Sequence, residues 1–423
     1  MSQQSKILVI DGKSRSQYYT DLIQACSADW VISSPQEAVH VQPDTIDLAL
    51  VSDEFHTPSS LAIRYFVKHH VPTLHVVDGI AEWRNVWENS RSLSADRGMP
   101  LFQPILAHKV ACLGRSQARL LESWGNLGKC EIVGSPRFDR LLLQATPQRQ
   151  RQGPLQVLVL TAKTPAFTER QRTLVKQSLL DLQTWFSNHT HVAGVAVTPV
   201  WRVTDGLAEE LELTNSITDL TGKELATVLQ SVDALIATPS TALLEGMLQQ
   251  IPVALLDYNN CPDFVPAAWS ITAPQHFDQV IPELLVPPAP RMLYQDTILH
   301  DALECRSPAT ERMVQLVNTM IEIGRVCKAQ NRPLEFPDRI LPDPQNGHHL
   351  PEERFDLQQL YPNHPVFGNM DRTCLQVEIG HLKLEVERLQ KKLSVAETKL
   401  RSSYFWRART KLSQLKHLLL SHP

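Results

Sequence analysis

The stretch that decides the fold is DALIATPSTALLEGMLQQIPVALL, residues 233–256. Its apolar run over 233–237 predicts a buried strand, which Pro239 ends. The amphipathic spacing over 241–249 predicts a helix, and the apolar run over 252–256 predicts a second strand. Strands and helices that alternate in this way are typical of a mostly parallel sheet with helices packed on its faces.

The same alternation continues in both directions along the chain. In the N-terminal part, a helix is predicted over 115–124 and strands over 6–10, 47–51, 72–77, 109–113 and 131–133. After the polar segment QATPQRQRQGP (144–154), further strands are predicted over 155–160 and 192–198, and helices over 168–186, 222–230, 275–285 and 310–328. We therefore predict an α/β protein with two Rossmann-like domains that face a cleft.

The domain boundaries follow from composition. The two domains are predicted over 1–145 and 155–330, because the segment between them carries no large apolar side chain. Residues 331–370 hold many prolines and are predicted to form an extended linker. The His348 and His349 pair in this linker is interpreted as solvent-exposed rather than metal-binding.

The C-terminal residues change in character. From 375 to 400, apolar residues fall at alternating intervals of 4 and 3, the a/d seam of a heptad repeat (Leu375, Ile379, Leu382, Val386, Leu389, Leu393, Ala396 and Leu400). A coiled coil is therefore predicted over 371–400. It favours a homo-oligomer through residues 375–400, with packing against the body of the same chain as the alternative.

A basic, aromatic tail is predicted over 401–423. Within it, residues 402–420 read SSYFWRARTKLSQLKHLLL and contain no acidic residue. Aromatic and leucine side chains beside cations suit either the headgroup region of an anionic membrane or a docking surface on another protein. Residues 371–423 together carry 11 Lys and Arg against 5 Asp and Glu, which indicates an anionic partner for this end of the chain.

Composition excludes several classes of protein. The net charge of the 423 residues is −4, so binding of nucleic acid is not expected. The seven cysteines are scattered without a CxxC pair, which indicates neither a zinc site nor a disulfide framework. The N-terminus lacks the layout of a signal peptide, and no apolar run approaches the roughly 18–20 residues of a membrane span. We therefore expect a cytoplasmic protein whose membrane contact, if present, is peripheral and at the inner face.

Candidate site residues lie where strands end, because doubly wound sheets bind ligands beyond the carboxyl ends of their strands. Ser240 is expected to cap the helix that follows the 233–237 strand. Its hydroxyl, that of Thr241 and the unpaired N–H groups of the first turn would converge on a diphosphate. Glu245 lies one helical turn beyond Thr241 and can accept hydrogen bonds from ribose hydroxyls. An ordinary capped helix is the alternative interpretation.

Two other loops of the second domain carry cations. Lys163 and Thr164 follow the 155–160 strand and form a small basic, hydroxyl-rich turn, for which a plain surface turn is the alternative. Arg202 is expected to follow the 192–198 strand and to bind a phosphate. Its neighbour Trp201 either packs in the core or lies against a base or sugar ring.

The first domain has candidates for acid–base chemistry. Asp78 ends the 72–77 strand, and Gly79 lets the chain turn close to another molecule. Asp78 or Glu82 is the candidate general base for an acceptor hydroxyl, although Asp-Gly is also a common plain turn. Arg137 and Asp139 are interpreted as residues that fix the edge of the domain.

Taken in order, these segments resemble the GT-B superfamily, and most closely its branch of CDP-glycerol glycerophosphotransferases, UDP-N-acetylglucosamine 2-epimerases and capsule-type glycosyltransferases. In that branch a sequence like GSPRFD, residues 134–139 here, closes the first domain. A strand, a Ser/Thr-rich turn, a helix with Glu and an apolar strand then occur in the second domain, as over 233–256. The basic tail is similar to C-terminal segments of bacterial polysaccharide glycosyltransferases.

The resemblance implies a nucleotide-sugar-dependent glycosyltransferase, or a closely related glycerophosphotransferase, in the assembly of surface polysaccharide. Ser240 and Thr241 would hold the phosphates of a nucleotide-activated donor, Glu245 its ribose, and Asp257 is a candidate for the donor sugar. The acceptor would be a glycan or a lipid-linked glycan, and no resident cofactor or metal is implied. Asp78 stands where the glycerophosphotransferases have the His of a His-Gly pair, so their acceptor chemistry does not transfer directly.

Three other functions stay open. A GT-B shell without catalysis would act as a scaffold through its coiled coil, and a sugar-nucleotide epimerase would use the same fold. A receiver domain is the third, since residues 6–11 and 47–53 carry acidic residues near strand ends. Its match is poor, because a receiver needs an acidic pair after the first strand to hold Mg²⁺ and only one acidic residue follows here.

Overall fold

The structure is a computed structural model that describes residues 4–12, 16–90, 100–143, 153–192, 194–213, 225–342, 372–402 and 404–419. The chain divides into two compact units, Met1–His348 and His349–Pro423. Among the described residues, the first unit holds two six-stranded sheets, and the second unit holds two helices. We call the two halves of the first unit the first lobe and the second lobe, after the order of their sheets in the sequence.

The sheet of the first lobe is parallel throughout, in the order β2-β1-β3-β4-β5-β6. Its strands are β1 (Lys6–Val9), β2 (Asp29–Ile32), β3 (Leu48–Val51), β4 (Thr73–Val76), β5 (Lys109–Cys112) and β6 (Cys130–Ile132). Around it lie α1 (Thr20–Ala25), α2 (Pro35–Ala38), α3 (Thr57–Lys68), α4 (Arg115–Ser123) and α5 (Asp139–Leu143). Every residue of β3, β4 and β5 is buried, as expected for parallel strands with helices on both faces.

The sheet of the second lobe has the order β12-β11-β10-β7-β9-β8, and only β8 runs antiparallel to its neighbour. Its strands are β7 (Leu155–Leu160), β8 (His191–Val192), β9 (Val195–Arg202), β10 (Ala234–Ala237), β11 (Val253–Leu256) and β12 (Trp269–Ile271). Its helices are α6 (Glu169–Asn188), α7 (Leu207–Glu210), α8 (Leu225–Gln230), α9 (Ala242–Leu248), α10 (Phe277–Leu285) and α11 (Ala289–Ala302). Because β7 lies between β10 and β9, the loops after these three strands meet where the strand order reverses, the usual place for a ligand.

The predicted α/β architecture with two Rossmann-like halves is confirmed, while helices α3 and α11 and one edge strand of each sheet were not predicted. The sequence does not predict β2 or β12, which are the outermost strands of their sheets. All four residues of β2 are at least partly exposed, and the middle residue of β12 is exposed, so neither strand forms a continuous buried run. Strand β9 extends to Arg202, four residues beyond the predicted end at 198.

The helix that follows the second lobe packs on the first lobe. This helix, α12 (Ala309–Ala329), buries Leu316 and Val317 in one cluster with Ile7 and Leu50 of the first sheet. This helix lies within the predicted second domain (155–330) in the sequence, while its apolar side chains are buried with the first lobe.

Asp139 fixes the start of α12. Its carboxylate accepts hydrogen bonds from the backbone N–H groups of Ala309 and Thr310, both at 2.8 Å. A helix leaves its first N–H groups without intrahelical partners, and this carboxylate from the first lobe satisfies two of them. The interpretation of Asp139 as a residue at the domain edge agrees with this contact.

The first part of the predicted linker over 331–370 is also held on the first lobe. Lys109 is buried, and its Nζ donates to the carbonyls of 337 and 338 at 2.5 and 3.0 Å. The Glu131 carboxylate, 2.9 Å from the same ammonium, accepts from the N–H groups of 340 and 341. Residues 331–342 are thus fixed to the first lobe, and 343–371, with His348 and His349, lie outside the described residues.

The described part of the second unit forms α13 (Arg372–Ser402) and α14 (Tyr404–Leu419). The helix over α13 agrees with the heptad pattern, while its pairing in a coiled coil stays a prediction. The side chains of Tyr404, Phe405 and Trp406 lie outside the described part of the chain. Of the helices in the described residues, none combines the length and the apolar content that crossing a bilayer requires.

Candidate functional site

A cleft of about 830 Å³ lies between the carboxyl ends of the two sheets. The loops after β3 and β4 line it from the first lobe, and the loops after β7, β9 and β10 line it from the second. Eight of the nine candidate residues named from the sequence line this one cleft: Asp78, Glu82, Lys163, Thr164, Arg202, Ser240, Thr241 and Glu245. The ninth, Asp257, does not.

The turn after β10 forms the centre of the second-lobe wall. The Thr238 hydroxyl accepts a hydrogen bond from the N–H of Ala162 at 2.8 Å, which ties this turn to the loop after β7. Helix α9 starts at Ala242 with Thr241 as its N-cap residue, so the predicted cap at Ser240 is one residue too early. Thr241 makes no capping hydrogen bond, because its hydroxyl is used elsewhere.

The Thr241 hydroxyl is used by the first lobe. It accepts a hydrogen bond from the N–H of Ile80 at 3.1 Å. A Cβ atom on Gly79 would lie only 2.6 Å from the same hydroxyl oxygen, so only glycine allows this close approach of the two lobes. The carbonyl of Gly79 in turn accepts from the Gln117 side-chain amide at 3.0 Å. The Asp78-Gly79 turn is therefore in direct contact with the turn after β10.

Ser240, next to Thr241 in the same turn, has a side-chain hydroxyl without a hydrogen-bond partner among the described residues. The Oγ atom of this hydroxyl is buried. A buried hydroxyl without a partner is uncommon in folded proteins and costs free energy of about 1–3 kcal/mol. The turn therefore carries one unsatisfied hydroxyl, on a residue that lines the cleft.

Two arginines lie near Glu245. The Nη2 atom of Arg137 is 4.0 Å from Oε1 of Glu245. Burial raises the pKa of Glu245, while the charges of Arg137 and Arg202 lower it in part. Burial also lowers the pKa of Arg202, opposed by the charge of Glu245. A site with two guanidinium groups and one carboxylate combines anion binding with an acceptor for ligand hydroxyls.

Arg137 was assigned to the domain edge from the sequence, and the structure corrects that interpretation. Arg137 lines the cleft and sits over the ring of Phe138, with its Cζ atom 4.6 Å from the ring centroid. Trp201 shows the opposite outcome: it is buried in the core of the second lobe, so stacking on a base or sugar ring is wrong. The alternation of β9 turns Trp201 to the core face, whereas Arg202 ends the strand at the cleft.

The loops after β7 and β9 are tied together beside these arginines. The hydroxyls of Thr161 and Thr204 lie 3.0 Å apart, and that of Thr204 donates to the carbonyl of Ala162 at 2.6 Å. Lys163 and Thr164 follow directly and are exposed in the cleft. The ammonium of Lys163 is thus carried on a fixed loop on the same wall as Ser240.

Glu82 and Asp257 are engaged in structural contacts. Glu82 pairs with the buried guanidinium of Arg84, whose Nη1 donates across the lobes to the carbonyl of Pro165 at 3.2 Å. Burial raises the pKa of Glu82 to about 7, although Arg84 lowers it. The Asp257 carboxylate is buried and accepts from the N–H groups of Asn259 and Cys261, both at 3.1 Å. Asp257 thus stabilises its own turn.

Asp78 is exposed at the end of β4 and lines the first-lobe wall of the cleft. Asp53 and His56 line the same wall, with Nε2 of His56 3.7 Å from Oδ2 of Asp53, and neither was a candidate from the sequence. They could have been found, because they lie two and five residues after the predicted 47–51 strand. Asp11, at the end of β1, is instead held by the Tyr19 hydroxyl and the N–H of Ser52.

The contact between Gly79 and Thr241 can be tested by a double-mutant cycle. Gly79→Ala places a Cβ against the Thr241 hydroxyl, and we expect the free energy of unfolding to fall by about 1–3 kcal/mol. Thr241→Ala removes that oxygen and leaves Cβ at 3.8 Å, an ordinary contact. The double variant should therefore lose less than the sum of the single variants by at least about 0.5 kcal/mol in chemical denaturation.

The matched control for this cycle is Gly79→Ala with Thr241→Ser. Serine keeps the hydroxyl and therefore the clash, so the losses in free energy of unfolding of these two changes should add. Strict additivity in the alanine pair, or equal relief in the serine pair, would contradict the close approach.

The pKa of Glu82 predicts a pH dependence of stability. The carboxyl group ionises near 4.5 in the unfolded chain and near 7 in the folded protein. The folded state thus holds a proton that the unfolded state releases, and the free energy of unfolding falls as pH rises through this window. Glu82→Gln removes this loss, so stability relative to the parent should improve by on the order of 3 kcal/mol between pH 4.5 and 8. Denaturation at several pH values, with Glu335→Gln as an exposed control, measures it; a pH-independent difference refutes it.

Comparison with known proteins adds information on the fold. No sequence family and no curated protein matches this chain. A protein of Listeria monocytogenes assigned as a UDP-N-acetylglucosamine 2-epimerase superimposes with a TM-score of 0.53 at 11% identity, over 79% of this chain and 100% of its own. The wall teichoic acid polymerase TagF superimposes with a TM-score of 0.48 at 12% identity, over 75% of this chain and 88% of its own. The UDP-GlcNAc 2-epimerase of Methanocaldococcus jannaschii superimposes with a TM-score of 0.45 at 11% identity, over 75% of this chain and 100% of its own.

The sequence resemblance, the two parallel-rich sheets and the superposition on the Listeria protein agree. Two Rossmann-like lobes face one cleft, and the last helix of the first unit returns to the first lobe. The chain therefore has the GT-B fold.

Proposed function

We propose that this chain is a nucleotide-sugar-dependent glycosyltransferase, or a closely related glycerophosphotransferase, that acts in the biosynthesis of surface polysaccharide. The observation that carries the proposal is the buried, unsatisfied hydroxyl of Ser240 at the cleft between the lobes. A ligand that accepts a hydrogen bond from this hydroxyl would remove the cost of its burial. The shared fold also supports a nucleotide-linked substrate, since the Listeria protein is assigned to act on UDP-N-acetylglucosamine.

The second-lobe wall suits the diphosphate of an activated donor. Phosphate oxygens would accept from Ser240, while Lys163 and Arg202 on the neighbouring loops would neutralise their charge. Arg137 adds a second guanidinium beside Glu245. The Glu245 carboxylate would accept from the hydroxyls of the donor ribose. Thr241 contributes by holding the two lobes together, since its hydroxyl is already bonded to Ile80.

The first-lobe wall suits the acceptor, a glycan or a lipid-linked glycan. Its hydroxyl oxygen would form the new bond to the transferred group. In glycosyl transfer the bond between the sugar and the diphosphate breaks and a nucleoside diphosphate leaves; in glycerophosphate transfer the bond between the two phosphates breaks and a nucleoside monophosphate leaves. Asp78 would take the hydroxyl proton, and the cationic second-lobe wall would stabilise the negative charge of the leaving nucleotide. The nucleotide-activated donor enters as a substrate, so this mechanism requires no resident cofactor.

The second unit would place the enzyme where its acceptor is made. We propose that residues 375–400 associate with another copy of the chain and that 402–420 contact an anionic membrane surface. Arg407, Arg409, Lys411 and Lys416 are exposed on α14 beside the exposed Leu412 and Leu415, the composition of an interfacial helix.

Nucleotide binding tests the donor site. UDP, CDP and GDP are titrated into the full chain by calorimetry, and we expect at least one to bind. Ser240→Ala with Glu245→Ala should abolish this binding, since it removes the unsatisfied hydroxyl and the ribose acceptor. The matched control is Ser270→Ala with Glu335→Ala, two exposed residues away from the cleft, which should bind as the parent does. Unchanged binding in the cleft variant would remove the site assignment.

Turnover tests the role of Asp78. With the donor whose nucleotide binds, Asp78→Asn should lower the transfer rate by about 10²–10⁴-fold and leave nucleotide affinity within a few fold. An equal fall in rate and affinity would mean that Asp78 is structural. Mass spectrometry of the product separates glycosyl transfer, transfer of glycerol phosphate and epimerisation. Binding without any product would favour the scaffold.

A further inference from the structure

The second unit presents a continuous apolar seam along α13. Five of its apolar side chains, which repeat at intervals of 3 and 4, are between 51% and 63% exposed: Ile379, Leu382, Val386, Leu389 and Leu393. All five lie on one helix of 31 residues, long enough for about four heptads. A seam of this length in water is unfavourable, so a partner of matching periodicity is expected to cover it.

The residue types along the seam indicate the number and direction of strands. The a positions hold β-branched Ile379 and Val386, followed by Leu393. The d positions hold Leu382 and Leu389. β-branched residues at a with leucine at d favour two parallel strands, because each side chain then packs in the geometry that its branching allows. No polar residue occupies an a or d position between 379 and 396.

The charges beside the seam fit a second copy of the same helix. In a parallel, in-register pair, each g position faces the e position five residues later on the other helix. Lys392 at g then faces Glu397 of the second copy, and the symmetry of the pair makes this contact twice. Glu385 at g faces Gln390, which adds no repulsion. The charges at the e and g positions of one helix thus complement those of an identical second helix in this register.

We propose that α13 forms a parallel, in-register, two-stranded coiled coil with a second copy of this chain. The inference deepens the self-association proposed above and does not depend on the transferase activity. Its consequence concerns the basic helix α14, which follows α13 in the chain. In a parallel pair both copies of α14 leave the same end of the coil, so the exposed cations at 407, 409, 411 and 416 of two chains are brought together.

Cysteine cross-linking tests the register. In full-length protein with Cys374→Ser, Ala396→Cys places a thiol at a d position, where two parallel copies bring it against itself. Mild oxidation should link most of this variant into a covalent dimer. Val395→Cys, one residue away at an outward position and exposed, should link much less. An antiparallel pair would place residue 396 opposite residue 379, so a dimer in which Ala396→Cys does not link would overturn the proposal.

Light scattering tests the seam with a second pair of variants. Leu389→Asp puts a carboxylate at a d position and should weaken the dimer by at least about a hundredfold. Leu384→Asp changes a leucine that is 65% exposed but lies outside the seam, and should leave the dimer intact. A monomeric parent, a trimer, or equal effects of both changes would refute the coil. Nucleotide binding in the same samples shows separately whether the first unit is folded and active.

Discussion

The contact of Gly79 with Thr241 is the constraint on which the cleft depends. One backbone N–H of the first lobe bonds to one hydroxyl of the second, and the absence of a side chain at Gly79 sets how closely they approach. This contact fixes Asp78 on one side and Ser240 on the other. The set of polar groups that a ligand can contact is therefore determined by how the turns after β4 and β10 pack together.

Further contacts join the two lobes outside the cleft. The guanidinium of Arg84 donates a hydrogen bond to the carbonyl of Pro165 across the lobes. The ring centroid of Phe264 in the second lobe lies 5.5 Å from that of Trp124 and 6.2 Å from that of Trp83 in the first lobe. None of these five residues lines the cleft. The lobes are thus joined by aromatic and ionic contacts outside the cleft wall that carries Ser240 and Arg202.

Much of this arrangement could be predicted from the sequence, because buried parallel strands leave a continuous apolar signal and ligands gather where such strands end. That rule alone brought Asp78, Lys163 and Ser240 into one cleft. This rule does not predict which polar side chains are already bonded to other groups of the protein. Glu82 pairs with Arg84, and Asp257 accepts hydrogen bonds from its own turn; both contacts depend on three-dimensional packing. Arg137 shows the reverse case, a residue that lines the cleft although the sequence did not predict it. Its position in the turn after β6 gave no indication that it lies near Glu245.

The return of α12 to the first lobe makes the second lobe an insertion in topological terms. The core around Ile7 and Leu50 is completed by side chains that occur about 300 residues later, and Asp139 and Lys109 hold that returning segment in place. Truncation after 143 would therefore uncover this core. The core of the first lobe is thus assembled from two separate stretches of the chain, whereas the strands of the second sheet all come from one continuous stretch, 155–271.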